Sequence, residues 1–316
     1  METNDIVRKN TIVPLHGFGG PFLQDVDLGD NCFIAKMPDG LFENFLKYGE
    51  FFDPTGNTKV LDTNEKHGFM TTYCVNHAYK GPKSPHVGIQ EGESEEIVRK
   101  VVLAIQLLKF TMTAPEFIIR TQVSNYEVVD AVKTHERSHI PKSVSSNSLR
   151  PYTTEDLARV RMLWPEIKKV YTAHKNGFNR IANALEFFRV GLGFAAWQLR
   201  FTMFVVALES IYSTSNVEVA YSLSQRLAWF LGDAVNRTDY FRKAKKIYAI
   251  RSNIVHGTTI SANLKMEIDS LLIEAEDMVR KTLIKILLNE ELIKIFSETE
   301  KLKDYLNKLT LNQIES

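Results

Sequence analysis

Cysteine is nearly absent: the chain has two, Cys32 and Cys74. Two thiols without CxxC spacing make neither a disulfide framework, a zinc ribbon nor a redox pair, so both read as small core residues. A surplus of charge is lacking too. The net charge is +1 over 316 residues, too little to steer a polyanion at long range, so any nucleic-acid argument must be local. Met1-Glu-Thr-Asn-Asp5 is acidic and polar with no apolar run behind it, which does not read as a secretory leader and makes a cytoplasmic protein the expectation. Residues 190–208 come nearest to a membrane span but carry Gln198 and Arg200 at their middle. A central Arg costs about 2.5–3.5 kcal/mol there, so a buried bundle helix is the better reading, and no membrane partner is expected.

What is present is ordinary globular composition, with 44% hydrophobic and 24% charged residues. A chain this long tends to split into two cores. In the first part, residues 11–15, 32–37, 70–77 and 116–122 are rich in β-branched and aromatic side chains and read as strands, with turns at Pro38-Asp-Gly40 and Asp53-Pro-Thr-Gly56. Residues 41–52 and 95–110 have helical spacing, the second placing Ile97, Val101, Ala104, Ile105 and Leu108 on one face. The serine-rich residues 141–150 read as a connecting loop. Beyond it Thr153 and Asp156 approximate a capping box, and helices are predicted near 154–174, 178–190, 193–213, 217–232, 239–256, 262–289 and 291–309. On the third, Trp197, Phe201, Phe204, Val205 and Leu208 form a broad apolar stripe. The expected fold is therefore an N-terminal α+β domain, residues 1–145, followed by an all-α helical bundle, residues 150–316.

The chemistry concentrates in the helix over 239–256. Its polar face holds Arg242, Lys245, Lys246, Ala249 and Asn253, and its apolar stripe runs through Phe241, Ala244, Tyr248 and Val255. Continuing that register predicts an apolar residue where Arg251 stands, with Ser252 beside it. A buried guanidinium without a partner costs several kcal/mol, so an acidic or anionic group is expected opposite. His256 follows five residues on, ahead of Gly257, which suits a left-handed helix stop. Five residues correspond to about 140° around an ideal helix, so the two side chains meet only if the helix ends near the His or the Arg reaches around.

An imidazole and a guanidinium suit metal-free RNA cleavage, in which the 2′-hydroxyl attacks the adjacent phosphorus. An imidazole moves protons near neutral pH, and a planar cationic fork stabilises the charge that builds on the phosphorane. His256 fits the first role and Arg251 the second, with Ser252 suited either to donate a hydrogen bond to the phosphate or to orient the other two. Between Arg237 and Arg251 the basic side chains outnumber the single acid, Asp239. Of these, Arg242, Lys243, Lys245 and Lys246 are the expected holders of RNA phosphates.

The spacing of Arg and His proves little alone; its surroundings say more. Tyr248-Ala-Ile-Arg-Ser-Asn-Ile-Val-His-Gly257 is preceded by a helix containing Ala207-Leu-Glu209 and by one containing Ser224-Gln-Arg226-Leu-Ala228. Over about residues 155–290 this resembles the Apea-like branch of the HEPN superfamily, with its Ala-Leu-Glu helix, Ser-x-Arg-x-Ala helix and terminal Tyr-x-x-Arg-Ser-x-x-x-His-Gly. The resemblance implies a helical bundle that pairs as a homodimer, two Arg-x4-6-His motifs facing one cleft. It further implies an endoribonuclease of an abortive-infection or toxin–antitoxin system, using no metal or cofactor. Carried over, Arg251 and His256 become the catalytic pair with Ser252; Glu209 becomes the partner of Arg251, and Tyr248 and Asn253 become supporting residues. RNA would be the substrate, and an antitoxin or a phage-derived trigger a further partner. The first 145 residues resemble no family, and a sensor or regulatory role for them has no motif behind it.

Two other readings compete. His135-Glu136-Arg-Ser-His139 satisfies the zinc-protease pattern H-E-x-x-H, although Arg137 sets a cation beside the would-be metal and Pro141 follows closely. Alternatively the helical domain binds nucleotide, RNA or a second copy without cleaving, Arg251 being tied structurally to Glu209. His16-Gly-Phe-Gly-Gly20 lacks the Lys-Ser/Thr of a P-loop and reads as a turn, while Phe42, Phe45, Phe51 and Phe52 read as core. His67, His77 and His86 show no ligand spacing.

Overall fold

The computed structural model describes residues 6–15, 25–38, 40–41, 51–52, 58–59, 73–82, 89–108, 117–122, 128–133, 152–175, 177, 179–214 and 219–311. These form two compact units. An α+β unit takes the described residues up to Gln106, the two strands that follow, and the next helix as far as Trp164; a helical unit begins at Pro165. The layout is thus α+β first and all-helical second, as the residue patterns predict. The expected loop at 141–150, the His135-Glu136-Arg-Ser-His139 motif, the glycine-rich turn at 16–20 and the side chains of the Phe42–Phe52 cluster lie outside the described residues.

In the first unit, β1 (Ile6–Leu15), β2 (Val26–Gly29), β3 (Cys32–Lys36), β6 (Tyr73–Pro82), β7 (Phe117–Gln122) and β8 (Val128–Lys133) form a six-stranded antiparallel sheet in the order β2-β3-β6-β1-β7-β8. A separate ribbon pairs β4 (Phe51–Phe52) with β5 (Thr58–Lys59). Phe51 and Phe52 are therefore strand rather than the end of the helix expected over 41–52; Leu41 is helical, and 42–50 lie outside the described residues. β1 and β6 pair along their full length, from Ile6↔Pro82 to Leu15↔Tyr73. Alternate residues of β1 point to opposite faces, yet Ile12 and Val13 are both fully buried, so both faces of the sheet centre are covered.

Helix α1 (Ile89–Leu108) is tied to the sheet by a polar chain inside the apolar contact. Nδ1 of His77 lies 2.7 Å from Oγ of Ser94, which donates to Oγ1 of Thr11 at 2.7 Å. Thr11 and His77 face each other across β1 and β6, so one serine holds both strands. His77 is accounted for as a core residue. Helix α2 (Thr154–Lys175) opens with the expected reciprocal cap between Thr153 and Asp156. Its first half is fixed by Tyr152, which donates to the Ile105 carbonyl at 3.0 Å, and by Trp164, whose indole donates to the Leu28 carbonyl at 2.9 Å.

The second unit holds α3 (Arg180–Gly193), α4 (Trp197–Tyr212), α5 (Val219–Leu231), α6 (Arg237–His256), α7 (Ala262–Leu287), α8 (Glu290–Ser297) and α9 (Thr299–Thr310). The single helix predicted over 291–309 is interrupted at Glu298, whose extended backbone separates α8 from α9. Asn179 caps α3 through its side chain, accepting from the amides of Ile181 and Ala182. α3 and α4 approach closely where Gly191 meets Phe204: a Cβ on Gly191 would stand 2.8 Å from the Phe204 ring. Residues 190–208 are not one helix, because α3 stops at Gly193 and α4 starts at Trp197. No helix among the described residues is long and apolar enough to cross a membrane. The polar residue that argued against a span, Arg200, is buried in an ion triad: it donates to Glu276 of α7 at 2.7 Å, and Arg280 reaches the same carboxylate.

Candidate functional site

α6 carries the Arg–His pair, and its orientation is set by the side chains it buries, Ala244, Ile247 and Ile250. This corrects the stripe drawn from the sequence. Phe241 and Tyr248 are only half-buried and Val255 is 51% exposed, so the core-facing line passes beside them and position 251 is not a core position. Two overlapping apolar sets exist on this helix, and the isoleucine set fits the interior because it lies opposite the exposed Arg242, Lys245, Lys246 and Ala249.

Arg251 sits at the rim, with 21% of its side chain exposed. Its Nη2 donates to Oε2 of Glu209 on α4 at 3.1 Å, and Glu209 is similarly shielded at 19%. Nε of Arg251 is buried without a hydrogen-bond partner among the described residues. The guanidinium lies 5.8 Å from the ring centroid of Tyr248. Burial first, then the charge of Glu209, holds the Tyr248 phenol above its ordinary pKa, while Arg251 pulls the other way. The three side chains form one cluster in which Glu209 fixes the guanidinium, leaving part of it open to solvent. Ser252 is half-buried beside it.

The helix end is built by Gly257, at φ +65° and ψ +23°. Its amide donates to the Ile254 carbonyl at 3.4 Å, and the Thr258 amide to the Asn253 carbonyl at 2.9 Å, the double bond of a Schellman stop. Thr258 also donates through Oγ1 to Oδ1 of Asn253 at 2.9 Å, which makes Asn253 a brace of the turn. His256, the last helical residue, is exposed. The helix runs unbroken from Arg251 to His256, so the two are separated by about 140° and about 7.5 Å along the axis. They lie on different faces within one chain, and both reach solvent.

The basic stretch is less cationic than its residues imply. Lys243 pairs with Glu274 at 2.7 Å and Asp239 at 3.0 Å, Lys246 pairs with Glu267 at 2.7 Å, and the Arg237 guanidinium lies 3.6 Å from the Trp229 ring centroid. Hydrogen bonds to Glu274 are the main reason the Lys243 ammonium holds its proton more tightly than usual. Arg242 and Lys245 are exposed, and neither meets a carboxylate among the described residues. Counting cations along a helix missed the acids on α7, because those lie more than twenty residues away in sequence.

Two further arginines point at the C-terminal end of α4, the helix that carries Glu209. Arg180 of α3 donates through Nη1 to the carbonyls of Ser210 and Ser213, at 3.3 and 2.8 Å, and Arg226 of α5 to that of Tyr212 at 2.7 Å. Arg226 stands in the Ser-x-Arg-x-Ala stretch of α5, and Arg180 is the first residue of α3, where no sequence pattern marks it. Among the described residues no group of three His, Cys, Asp or Glu side chains could hold a metal ion. No protein-family model matches the chain, and neither a curated protein nor a solved structure does.

Proposed function

We propose that the helical unit is a metal-independent endoribonuclease of HEPN type, which cuts RNA by 2′-hydroxyl attack to leave a 2′,3′-cyclic phosphate and a 5′-hydroxyl. The observation that carries this reading is the state of Arg251. It is oriented by Glu209 at 3.1 Å, is partly open to solvent, and shares its helix end with an exposed His256. A cation that is held but reachable can stabilise phosphorane charge, and an exposed imidazole can move the 2′-hydroxyl proton. Because the two stand on different faces of one helix, the reading includes a homodimer in which Arg251 of one copy and His256 of the other face one cleft. Cytoplasmic defence by abortive infection, or a toxin with a neutralising antitoxin or a phage-derived trigger, is the setting that the motif resemblance implies. The fold expectation that goes with it is a HEPN-like bundle.

A second reading follows from the same ion pair. Glu209 already neutralises Arg251, so the cluster could serve only to join α4 to α6 in a non-cleaving RNA- or nucleotide-binding module. Cleavage of RNA in excess EDTA by wild type, Arg251→Ala and His256→Ala separates them. Chelator-resistant cutting lost in both variants supports the nuclease; wild type that binds RNA without cutting it supports the module, and cutting that persists in both variants rejects the site.

A further inference from the structure

Three guanidinium groups from three different helices address one short stretch of a fourth. Arg180, Arg226 and Arg251 all bond within residues 209–213, the last turn of α4. Relative to Glu209, an ideal helix sets Ser213 about 40° to one side and Tyr212 about 60° to the other. Arg180 and Arg226 therefore bond backbone carbonyls on both sides of the α4 turn that begins at Glu209. Among the described residues the charge in this collar does not balance: Glu209 is the sole carboxylate there among the bonding partners of the three cations.

Capping explains part of the arrangement, since the end carbonyls of a helix lack partners and attract cations. It does not explain the rest. Both arginines are half-buried, and burial lowers their pKa, with no opposing carboxylate among the described residues. Each uses only Nη1 on the backbone, so Nε and Nη2 of both have no protein partner among the described residues, nor are they sealed away from solvent. A guanidinium that turns one nitrogen to a carbonyl and keeps a second edge free is arranged to hold an acceptor-only anion, as a fork matches two phosphate oxygens.

The geometry points to a phosphate subsite on this collar: Arg180 and Arg226 bind a backbone phosphodiester of the RNA next to the one presented to Arg251. This rests on the nuclease reading for the identity of the polyanion, but not for the existence of the subsite. Binding there fixes the strand's path without reading its sequence.

The test is fluorescence anisotropy of a fully 2′-O-methylated single-stranded RNA oligonucleotide, which cannot be cleaved, titrated at several salt concentrations. Wild type is compared with Arg180→Gln/Arg226→Gln and with Arg180→Lys/Arg226→Lys, and each variant is melted by circular dichroism. The Lys pair keeps the charge and one donor for each α4 carbonyl but loses the fork. We expect the Gln pair to lose about tenfold or more in affinity, with the log–log salt slope smaller by about 0.7 for each phosphate contact removed, and the Lys pair to keep the wild-type slope while losing about tenfold in affinity with the fork. The Lys pair should melt like wild type. A folded Gln pair that binds with wild-type affinity and slope, or a Lys pair that binds with wild-type affinity, overturns the subsite and leaves the two arginines as caps, and so does wild type that fails to bind. If the Gln pair does not fold, the Lys pair decides alone. Cleavage in EDTA separates the two ideas: cutting by wild type with unaltered binding by the Lys pair sinks the subsite only, whereas weakened binding without any cutting sinks the nuclease only.

Discussion

Arg200 and Glu276 meet at 2.7 Å with 4% and 1% of their side chains exposed, which makes their ion pair part of the helical core rather than of its surface. Arg280 shares the carboxylate. Removing the acid would leave two guanidinium groups desolvated and facing each other. Glu276→Gln is therefore expected to destabilise the helical unit by about 3–5 kcal/mol, the usual cost of breaking a buried pair. Urea denaturation measures it, and a loss below about 1 kcal/mol would mean that water reaches the triad.

Arg251 and His256 should separate stability from activity. His256 is exposed, so His256→Ala should leave unfolding free energy within about 0.5 kcal/mol of wild type and, on the proposed nuclease reading, abolish cleavage. Arg251→Ala also strands the half-buried Glu209, and a loss of about 1–2 kcal/mol is expected besides the loss of cleavage. Equal melting curves for the two variants would contradict this.

Gly257 should resist replacement because its φ is +65°. Gly257→Ala is expected to cost about 1–2 kcal/mol, and Gly257→Asn less, since Asn tolerates the left-handed region better. Thermal melting of the pair tests the order, and the reverse order would contradict the assigned turn.

The thiols set an alkaline limit. Burial pushes Cys32 from the ordinary 9.0 up to about 12, and it pushes Cys74 up as well. A raised folded pKa means the native state holds its proton more tightly than the unfolded chain. The contribution is thus fully present below pH 9 and is lost as pH rises from there through about 12. Iodoacetamide at pH 8 should leave both cysteines unmodified until denaturant is added, whereas rapid labelling of the native protein would contradict their burial.

The four cations nominated for RNA should not be equivalent. Lys243 and Lys246 are held by carboxylates of α7, and Arg242 and Lys245 are not. Arg242→Ala/Lys245→Ala should weaken oligonucleotide binding and its salt dependence more than Lys243→Ala/Lys246→Ala. Equal effects in a binding titration would mean that RNA displaces Glu274 and Glu267.

The helices were legible because their apolar spacing and caps are local. Seven helical stretches are predicted beyond residue 150, and the described ones begin and end within a few residues of them, apart from the break at Glu298. Strands were harder. β1 begins at Ile6 although Arg8, Lys9 and Asn10 spoil the apolar alternation, because pairing with β6 carries the strand through them. β8 is six residues, Val-Val-Asp-Ala-Val-Lys, with an acid at its middle, and only its pairing with β7 reveals it. At the candidate site the residue types could be read, but the facing partners could not: Glu276 lies 76 positions from Arg200, and the acids of α7 come from 21 and 31 positions beyond the lysines they hold.

The close approach at Gly191 reaches further than its own neighbourhood. Phe204, against which it packs, sits five residues before Glu209 on the same helix, so a methyl group added to Gly191 would have to displace the Phe204 ring or the helix that carries it. The packing beneath the helix that carries Glu209 thus depends on an atom that is missing on another helix. Drift at position 191 would detune the cluster without altering any residue in it.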